Sequence, residues 1–496
     1  MIFLSYTLPV LLAVVALMDA AERAVFRDVN ILVVTDTHSW LAAHMHNDQA
    51  PPANATIGNI TNFVSTMKAQ AKLEGRDVFF FDNGDVVDGT GLSNAAETNG
   101  QELFPLLMEI PFDAMSIGNH ELYDASTVKE MISSAYMSSR NGTYLASNVY
   151  LSETMQPLAS RYAILKGPNS GIRLLVFGVL YDMTDNTDFV HVEAVSSMLT
   201  SDWFITALTT EEYDAVVVLA HMDYAEPLID DILQGIRAHV LPGLPIQFLT
   251  GHSHIRATST PDASSGNIEA GNYYNTIGYS SFDVPQDLSE SKGTAFHFSF
   301  YEPNTAQLAE ALGVPEVTVL LTRQGLLLDS DVADTRQGMG LLDRIGTTDK
   351  HYFISAPVAS EHSLYNYYVH QVAPSTLFTP SYNTSQILIS GTGILRYDLF
   401  AGEVIVDDVW TLCPFSEPYY SMVSLSGEDV AAALVLLNSD KYDPFRGGHG
   451  RRGPRPVLSA PLPNYVSSAI PQSGIMYDVI ASEWDAEFVS QALGVV

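Results

Sequence analysis

From residue 30 to about 255 the chain alternates short β-branched apolar runs with amphipathic stretches. The runs Ile31–Thr35, Val78–Asp82, Leu174–Val179, Ala215–Ala220 and Ile246–Thr250 read as strands, because residues stiff at χ1 suit a pleated surface. Between them Ile57–Leu73, with Asn54 or Thr56 as its cap, Ser126–Ser138 and Ser196–Leu208 carry helical periodicity. That alternation predicts an α/β layered domain, in which ligands bind beyond the carboxyl ends of the strands. Shorter strands, Tyr273–Gly278 and Phe296–Tyr301, and a helix over Ala306–Leu312 are expected to complete the sheets. The Asp/Gly-rich stretch Asp329–Lys350 loses apolar periodicity. The expected division is therefore a first domain over 25–330, a linker over 331–360 and a second α/β region over 361–496. Within the latter, the Gly/Arg-rich Phe445–Pro456 reads as an exposed loop and is the most basic patch of the chain.

Length and charge narrow the function. A chain of 496 residues exceeds one compact core and suggests two to three domains. Its 57 acidic against 23 basic residues give a formal charge of −34, which repels nucleic acid. A phosphate-bearing substrate then needs local positive charge, from metal ions or a few placed arginines. The uncharged apolar run Ile2–Met18, followed by Ala20 and Ala21, reads as a signal peptide over residues 1–21, with an uncleaved anchor as the alternative. Sequons at Asn54, Asn59, Asn141 and Asn383 agree with export to the cell surface, the medium or a vacuolar lumen. No other stretch approaches membrane-spanning length. The single cysteine, Cys413, excludes an intrachain disulfide and reads as a buried structural thiol.

Five polar motifs fall at or just after predicted strands: Asp36-Thr37-His38, Gly84-Asp85, Gly118-Asn119-His120-Glu121, His221, and Gly251-His252-Ser253-His254. Each alone is weak, since a hydrogen-bonded histidine after a strand is common. Together they supply imidazole nitrogens, two carboxylates and an amide oxygen, a donor set for Zn, Mn or Fe rather than Ca. Two ions fit if one carboxylate bridges them roughly 3.5–4 Å apart, so that a shared hydroxide attacks phosphorus. Asp85 is the expected bridge.

The order D-x-H, G-D-x-x-[DG], G-N-H-[ED], a lone His and G-H-x-H resembles the calcineurin-like metallophosphoesterases, specifically their 5'-nucleotidase-like fungal and protist branch. The resemblance implies a four-layer α-β-β-α sandwich. It implies one divalent ion on Asp36, His38, Asp85 and His254 and a second on Asp85, Asn119, His221 and His252. His120 then lies outside the metal shell, binding phosphate and protonating the leaving oxygen. Here the sequence departs from G-N-H-E-F-D: Asp124 stands one place late in Gly118-Asn119-His120-Glu121-Leu122-Tyr123-Asp124, and is the candidate partner of His120. His44, in the loop after His38, reads as a surface residue.

Beyond the metal motifs, Gly391-Thr392-Gly393-Ile394-Leu395-Arg396, Pro414-Phe415, Leu425-Ser426-Gly427 and Gln472-Ser473-Gly474 resemble the smaller 5'-nucleotidase C-terminal domain. By position Arg396 would meet phosphate or ribose and Phe415 would stack on a base. Trp484 and Phe488 are the remaining aromatics for a second stacking partner, without a matching context. The function expected from the whole is two-metal phosphomonoester hydrolysis, of nucleoside monophosphates. The alternatives are a phosphodiesterase or nucleotide-sugar pyrophosphatase, and an exported nucleotide-binding protein without turnover.

Overall fold

The computed structural model describes residues 25–45, 54–289, 293–316, 322–379, 385–416, 418–439 and 462–494. The expected signal segment, the sequon at Asn383 and the basic stretch 445–456 lie outside these. Two six-stranded mixed sheets pack face to face. In the first, Val29–Val34 runs parallel to Phe79–Asp82 (Leu32 opposite Phe80) and antiparallel to Ile277–Phe282, with Ala114–Ser116 parallel beyond Phe79–Asp82. In the second, Arg173–Leu180, Ala215–His221, Ile246–Thr250 and Ser265–Ala270 are all parallel neighbours.

Parity along these strands explains the layering. Val29, Ile31, Val33, Phe79 and Phe81 share a cluster with Val176, Val217, Leu219 and Ile268, which fills the space between the sheets. Their neighbours Leu32, Val34, Val216 and Val218 point the opposite way, into a cluster containing Ile57, Phe63 and Met67 as well as Phe204, Ile232 and Ile236 of the flanking helices. Both faces are buried, so the strands read as continuous apolar runs. The result is the expected four layers.

The helix Ile57–Leu73 has the predicted bounds, with Thr56 accepting from the Asn59 amide in a capping box. That use of Asn59, which is buried, removes its sequon from the surface. The single helix expected over Ser196–Leu208 is two, Val195–Leu199 and Asp202–Thr210. The strand expected at Tyr273–Gly278 begins only at Ile277, since Tyr273 and Tyr274 take positive φ.

The expected linker over 331–360 is largely ordered structure. Arg323–Gly338 is a helix packed on Ile57–Leu73, where Asp329 accepts from the Thr56 hydroxyl and the Gly58 amide, and Arg344–Thr348 pairs with Gly402–Ile405. Beyond it, Tyr419–Ser426, Met476–Ser482, Ser385–Gly391 and Tyr465–Ser467 form a four-stranded sheet. One face buries Ile387 and Val479 against Val430 and Val489 of the helices Gly427–Leu437 and Glu483–Leu493. The other buries Leu388 and Ile480 with Leu364, Tyr365 and Val369. Cys413 is half-buried against that second cluster rather than fully enclosed. Among the described residues no helix is long and apolar enough to cross a membrane.

The two parts meet through polar and aromatic contacts. Gly91 N–H donates to Asp407 (2.7 Å), which also pairs with Arg336 (2.8 Å), and the Tyr397 hydroxyl donates to the Met45 carbonyl. Trp40 lies 4.3 Å from Tyr397 between ring centroids. His44 is not a surface residue: it packs 4.5 Å from Trp40 and its Nε2 lies 2.9 Å from the Asn275 side chain.

Candidate active site

Parallel strands end at one edge, and five turns leave that edge carrying the polar motifs. Asp36 and His38 follow Val29–Val34, Asp85 follows Phe79–Asp82, and Asn119 and His120 follow Ala114–Ser116, all from the first sheet. From the second sheet, His221 ends Ala215–His221, and His252 and His254 follow Ile246–Thr250. The turns are tight. Asp36, His38, Asp85, Asp88, His252 and His254 all have φ between +46° and +70°, an unfavourable region for side-chain-bearing residues that persists where surroundings enforce it. Gly84 makes one approach possible, since a Cβ there would lie 2.4 Å from the Gly118 amide.

Three carboxyl-imidazole groups result, Asp36 with His38 and His254, Asp85 with His221 and His252, and Asp85 with His38 and His120, each within 4.8 Å. They adjoin: His38 Nε2 lies 3.2 Å from His254 Nε2, and Asp85 Oδ2 lies 3.2 Å from His221 Nε2 and 3.9 Å from His38 Nε2. Asn119 Oδ1 is 3.1 Å from His221 Nε2. All seven predicted metal donors thus converge.

The donor set fits divalent cations. His38 and His221 each direct Nδ1 at a main-chain carbonyl, of Val87 and Asn83, both at 2.7 Å. With Nδ1 engaged there, Nε2 is the atom each ring turns to the site, toward His254 Nε2 for His38 and toward the Asp85 and Asn119 oxygens for His221, the orientation of a metal ligand. The Asp85 Oδ2 atom is buried without a formed hydrogen bond. Burial holds His38 well below the usual imidazole range and His252 at about 3, with neighbouring imidazoles adding to both. Burial would raise Asp36, but His254 beside it prevails and its carboxyl sits at about 2. At His221 burial is likewise outweighed, here by the Asp85 and Asp36 carboxylates, and the imidazole is raised to about 10. The group concentrates negative charge in a dry place, which divalent ions neutralise.

His120 differs from the expectation in its partner. Its Nδ1 is 2.8 Å from Asp88 Oδ2, whereas Asp124 is exposed at the start of the next helix and makes no cap bond. The partner comes from the turn bearing Asp85, because the chain leaves Asn119 in a 3-10 turn that carries residue 124 away. Asp88 is the last residue of G-D-x-x-D, a spacing visible in the sequence. Tyr123, where the related pattern has Asp, accepts from Asn119 Nδ2 (3.0 Å) and so turns the amide oxygen toward His221.

Two buried glutamates hold the turns. Glu121 accepts from the main-chain amides of Asp85, Val86, Val87 and Gly118 (2.7–3.3 Å), and burial next to Asp85 raises it to about 7. Glu269 accepts from the Ser253 hydroxyl (2.5 Å) and the amides of Ile255 and Tyr224, joining the turn after His221 to the His252–His254 turn. Glu269 left no readable signal, because its strand Ser265–Ala270 lacks the apolar run that marks a buried strand.

The smaller domain reaches this edge. Phe415 lies 6.4 Å from His120 between ring centroids, inclined 25°, and the Arg396 guanidinium lies 5.7 Å from the Phe415 ring. Arg396 adds a repulsive push on protonated His38 and His254. Trp484 and Phe488 instead pair on the last helix, Phe488 against the core of the smaller domain.

Residues 29–256 match the calcineurin-like phosphoesterase family, and residues 350–455 match the C-terminal domain of NAD nucleotidase. An uncharacterised protein of Schizosaccharomyces pombe is 29% identical, over 89% of this chain and 76% of its own length. A secreted protein of Arthroderma benhamiae is 24% identical, over 88% and 72%. Among solved structures, a 5'-nucleotidase from Candida albicans superposes with a TM-score of 0.84 at 24% identity, covering 95% of this chain and 94% of that one. A 5'-nucleotidase precursor from Thermus thermophilus gives 0.66 at 15% identity, covering 94% and 92%. The two-part fold is common to all these structures.

Proposed function

We propose, from the premise that this chain is a metal-dependent phosphoester hydrolase with a calcineurin-like phosphoesterase domain and a C-terminal domain of the NAD nucleotidase type, that it hydrolyses nucleoside 5'-monophosphates. The observation carrying this reading is the delivery of Arg396 and Phe415 by the smaller domain to the edge that bears His120 and the metal donors. A guanidinium and an aromatic face beside a phosphate site suit a substrate with an anion at one end and a base at the other. The 5'-nucleotidases that superpose on the chain lend the same support.

Asp36, His38, Asp85 and His254 would hold one divalent ion and Asp85, Asn119, His221 and His252 a second, with Asp85 shared. Bound there, such ions supply Lewis-acid stabilisation of charge on the phosphoryl oxygens and a nucleophile at neutral pH. The chain's own residues do the rest. Asp88 holds the His120 ring through Nδ1, leaving Nε2 to donate a proton to the departing ribose oxygen. Arg396 orients the substrate, and Phe415 covers the side on which the leaving group departs. Export through the segment 1–21, and with it a secreted or vacuolar location, belongs to the same proposal; the secreted relative supports it.

The NAD nucleotidase match favours a second reading, cleavage of a dinucleotide or nucleotide-sugar pyrophosphate. A panel of AMP, UDP-glucose, cyclic AMP and an aryl phosphate, assayed after chelation and separate restoration with Zn and Mn, tests both. AMP should be the best substrate. Arg396→Ala should lower kcat/KM for AMP by about tenfold or more and spare the aryl phosphate; equal losses on the two would remove the substrate-binding role.

A further inference from the structure

We propose that Asn94 is a positioning residue that ties the proton-donating histidine to the smaller domain, making the acid depend on where the Pro414–Phe415 segment sits. The inference rests on the hydrolytic reading of the site, with His120 as proton donor.

The link is a continuous set of hydrogen bonds. His120 Nδ1 meets Asp88 Oδ2 at 2.8 Å, and the other carboxylate oxygen of Asp88 accepts from Asn94 Nδ2 at 2.8 Å and from Asn99 Nδ2 at 2.6 Å. The same Asn94 Nδ2 donates to the Pro414 carbonyl at 3.1 Å, across the boundary between the two parts of the molecule. The amide orientation is chemically determined. Asn94 Oδ1 accepts from the Gly89 main-chain N–H (3.2 Å), which can only donate, so Nδ2 must face the carboxylate and the carbonyl, which only accept.

Asn94 closes a short helix, Gly91–Asn94, that is held from both sides. Thr90 caps it and is bonded to Ser39 in the turn after His38, while Gly91 N–H donates to Asp407 of the smaller part. Asp88 has φ +63°, so its conformation depends on such partners. Phe415, next to Pro414, lies 6.4 Å from the His120 ring between centroids. A leaving group resting on Phe415 therefore acts on the same segment whose carbonyl holds Asn94, and Asn94 holds the carboxylate that orients the acid. Asn99 alone would keep Asp88 in the turn but would not couple it to the smaller domain.

The test is a double-mutant cycle on the full chain reconstituted with Mn, using Asn94→Ala, Phe415→Ala and their combination. AMP is the substrate with a poor leaving group and p-nitrophenyl phosphate the one that needs no proton. N94A should lower kcat on AMP by about tenfold with KM within about twofold, and change aryl phosphate turnover little. In the F415A background the further loss from N94A should shrink to less than about twofold, because the coupling is already broken. Asn94→Leu, which is similar in size and lacks both donors, should behave as N94A does, and melting curves identify a variant that fails to fold. Equal losses on both substrates, or the same tenfold loss in both backgrounds, would overturn the assignment. Wild-type turnover of both substrates, and selective loss of AMP hydrolysis in His120→Ala, test the underlying reading independently.

Discussion

Asp124 is near His120 along the chain, yet Asp88, 32 residues away, is the carboxylate that meets it in space. A carboxylate on Nδ1 fixes the tautomer and the orientation of the ring, so the exchange of partner is chemically neutral while the geometry is not. Asp88→Asn should lower kcat on AMP by about 10–100-fold, with the aryl phosphate less affected, whereas Asp124→Asn should leave both rates roughly unchanged; steady-state kinetics on the two substrates decide it. Asp398 illustrates a different residue-scale effect. Burial pushes its carboxyl up to about 6, against the hydrogen bond it accepts from the Ile354 amide. Below the ordinary aspartate range both folded and unfolded chains hold the proton, and the site carries no penalty. As pH rises through that range and past about 6, the unfolded chain ionises first and stability falls. Asp398→Asn can still accept from Ile354, and should be about 2–3 kcal/mol more stable than wild type at pH 7.5 and equal to it at about pH 3, measured by denaturation at both values.

At the scale of elements, the helix Arg323–Gly338 shows why a stretch without apolar periodicity need not be a linker. It buries only Gly325, Leu328 and Val332, too few for an amphipathic stripe, and relies on close approach instead. A Cβ on Gly58 would lie 2.2 Å from the Gly325 carbonyl oxygen and 2.5 Å from the Asp329 carboxyl. Gly58→Ala should therefore destabilise by about 1–3 kcal/mol despite the better helix propensity of alanine, whereas Gly338→Ala, with open space around it, should be neutral or stabilising by up to about 1 kcal/mol. Thermal melting of the two variants separates packing from propensity. The strands were legible for the opposite reason. Buried on both faces, they leave uninterrupted apolar runs, and Ile246–Thr250 has the bounds its residues predict. Ser265–Ala270 has no apolar run because Ser265, Asn267 and Glu269 are hydrogen-bonded inside the fold rather than outside it.

Over the whole molecule, a formal charge of −34 surrounds a site that itself buries Asp36 and Asp85. Divalent ions held by these groups should bind the folded chain far better than the unfolded one. Chelation should lower the melting temperature, and Zn or Mn at a hundredfold excess over Kd should restore about 3 kcal/mol; a melting temperature indifferent to both would count against the metal centre. With Arg396 and Phe415 implied by the resemblance to the 5'-nucleotidase C-terminal domain, the amino-acid order determined by itself the α/β class and the candidate donors Asp36, His38, Asp85, Asn119, His221, His252 and His254. Those follow from local chemistry, since apolar runs make strands and polar turns follow strands wherever a parallel sheet places its ligands. Tertiary structure alone decided that Asp88 rather than Asp124 supports His120, that Glu121 and Glu269 bind the turns together, and that Asn94 bridges the two parts. Each of these depends on which side chains meet across turns distant in the chain, and hydrogen bonds between such turns leave no periodic trace along it.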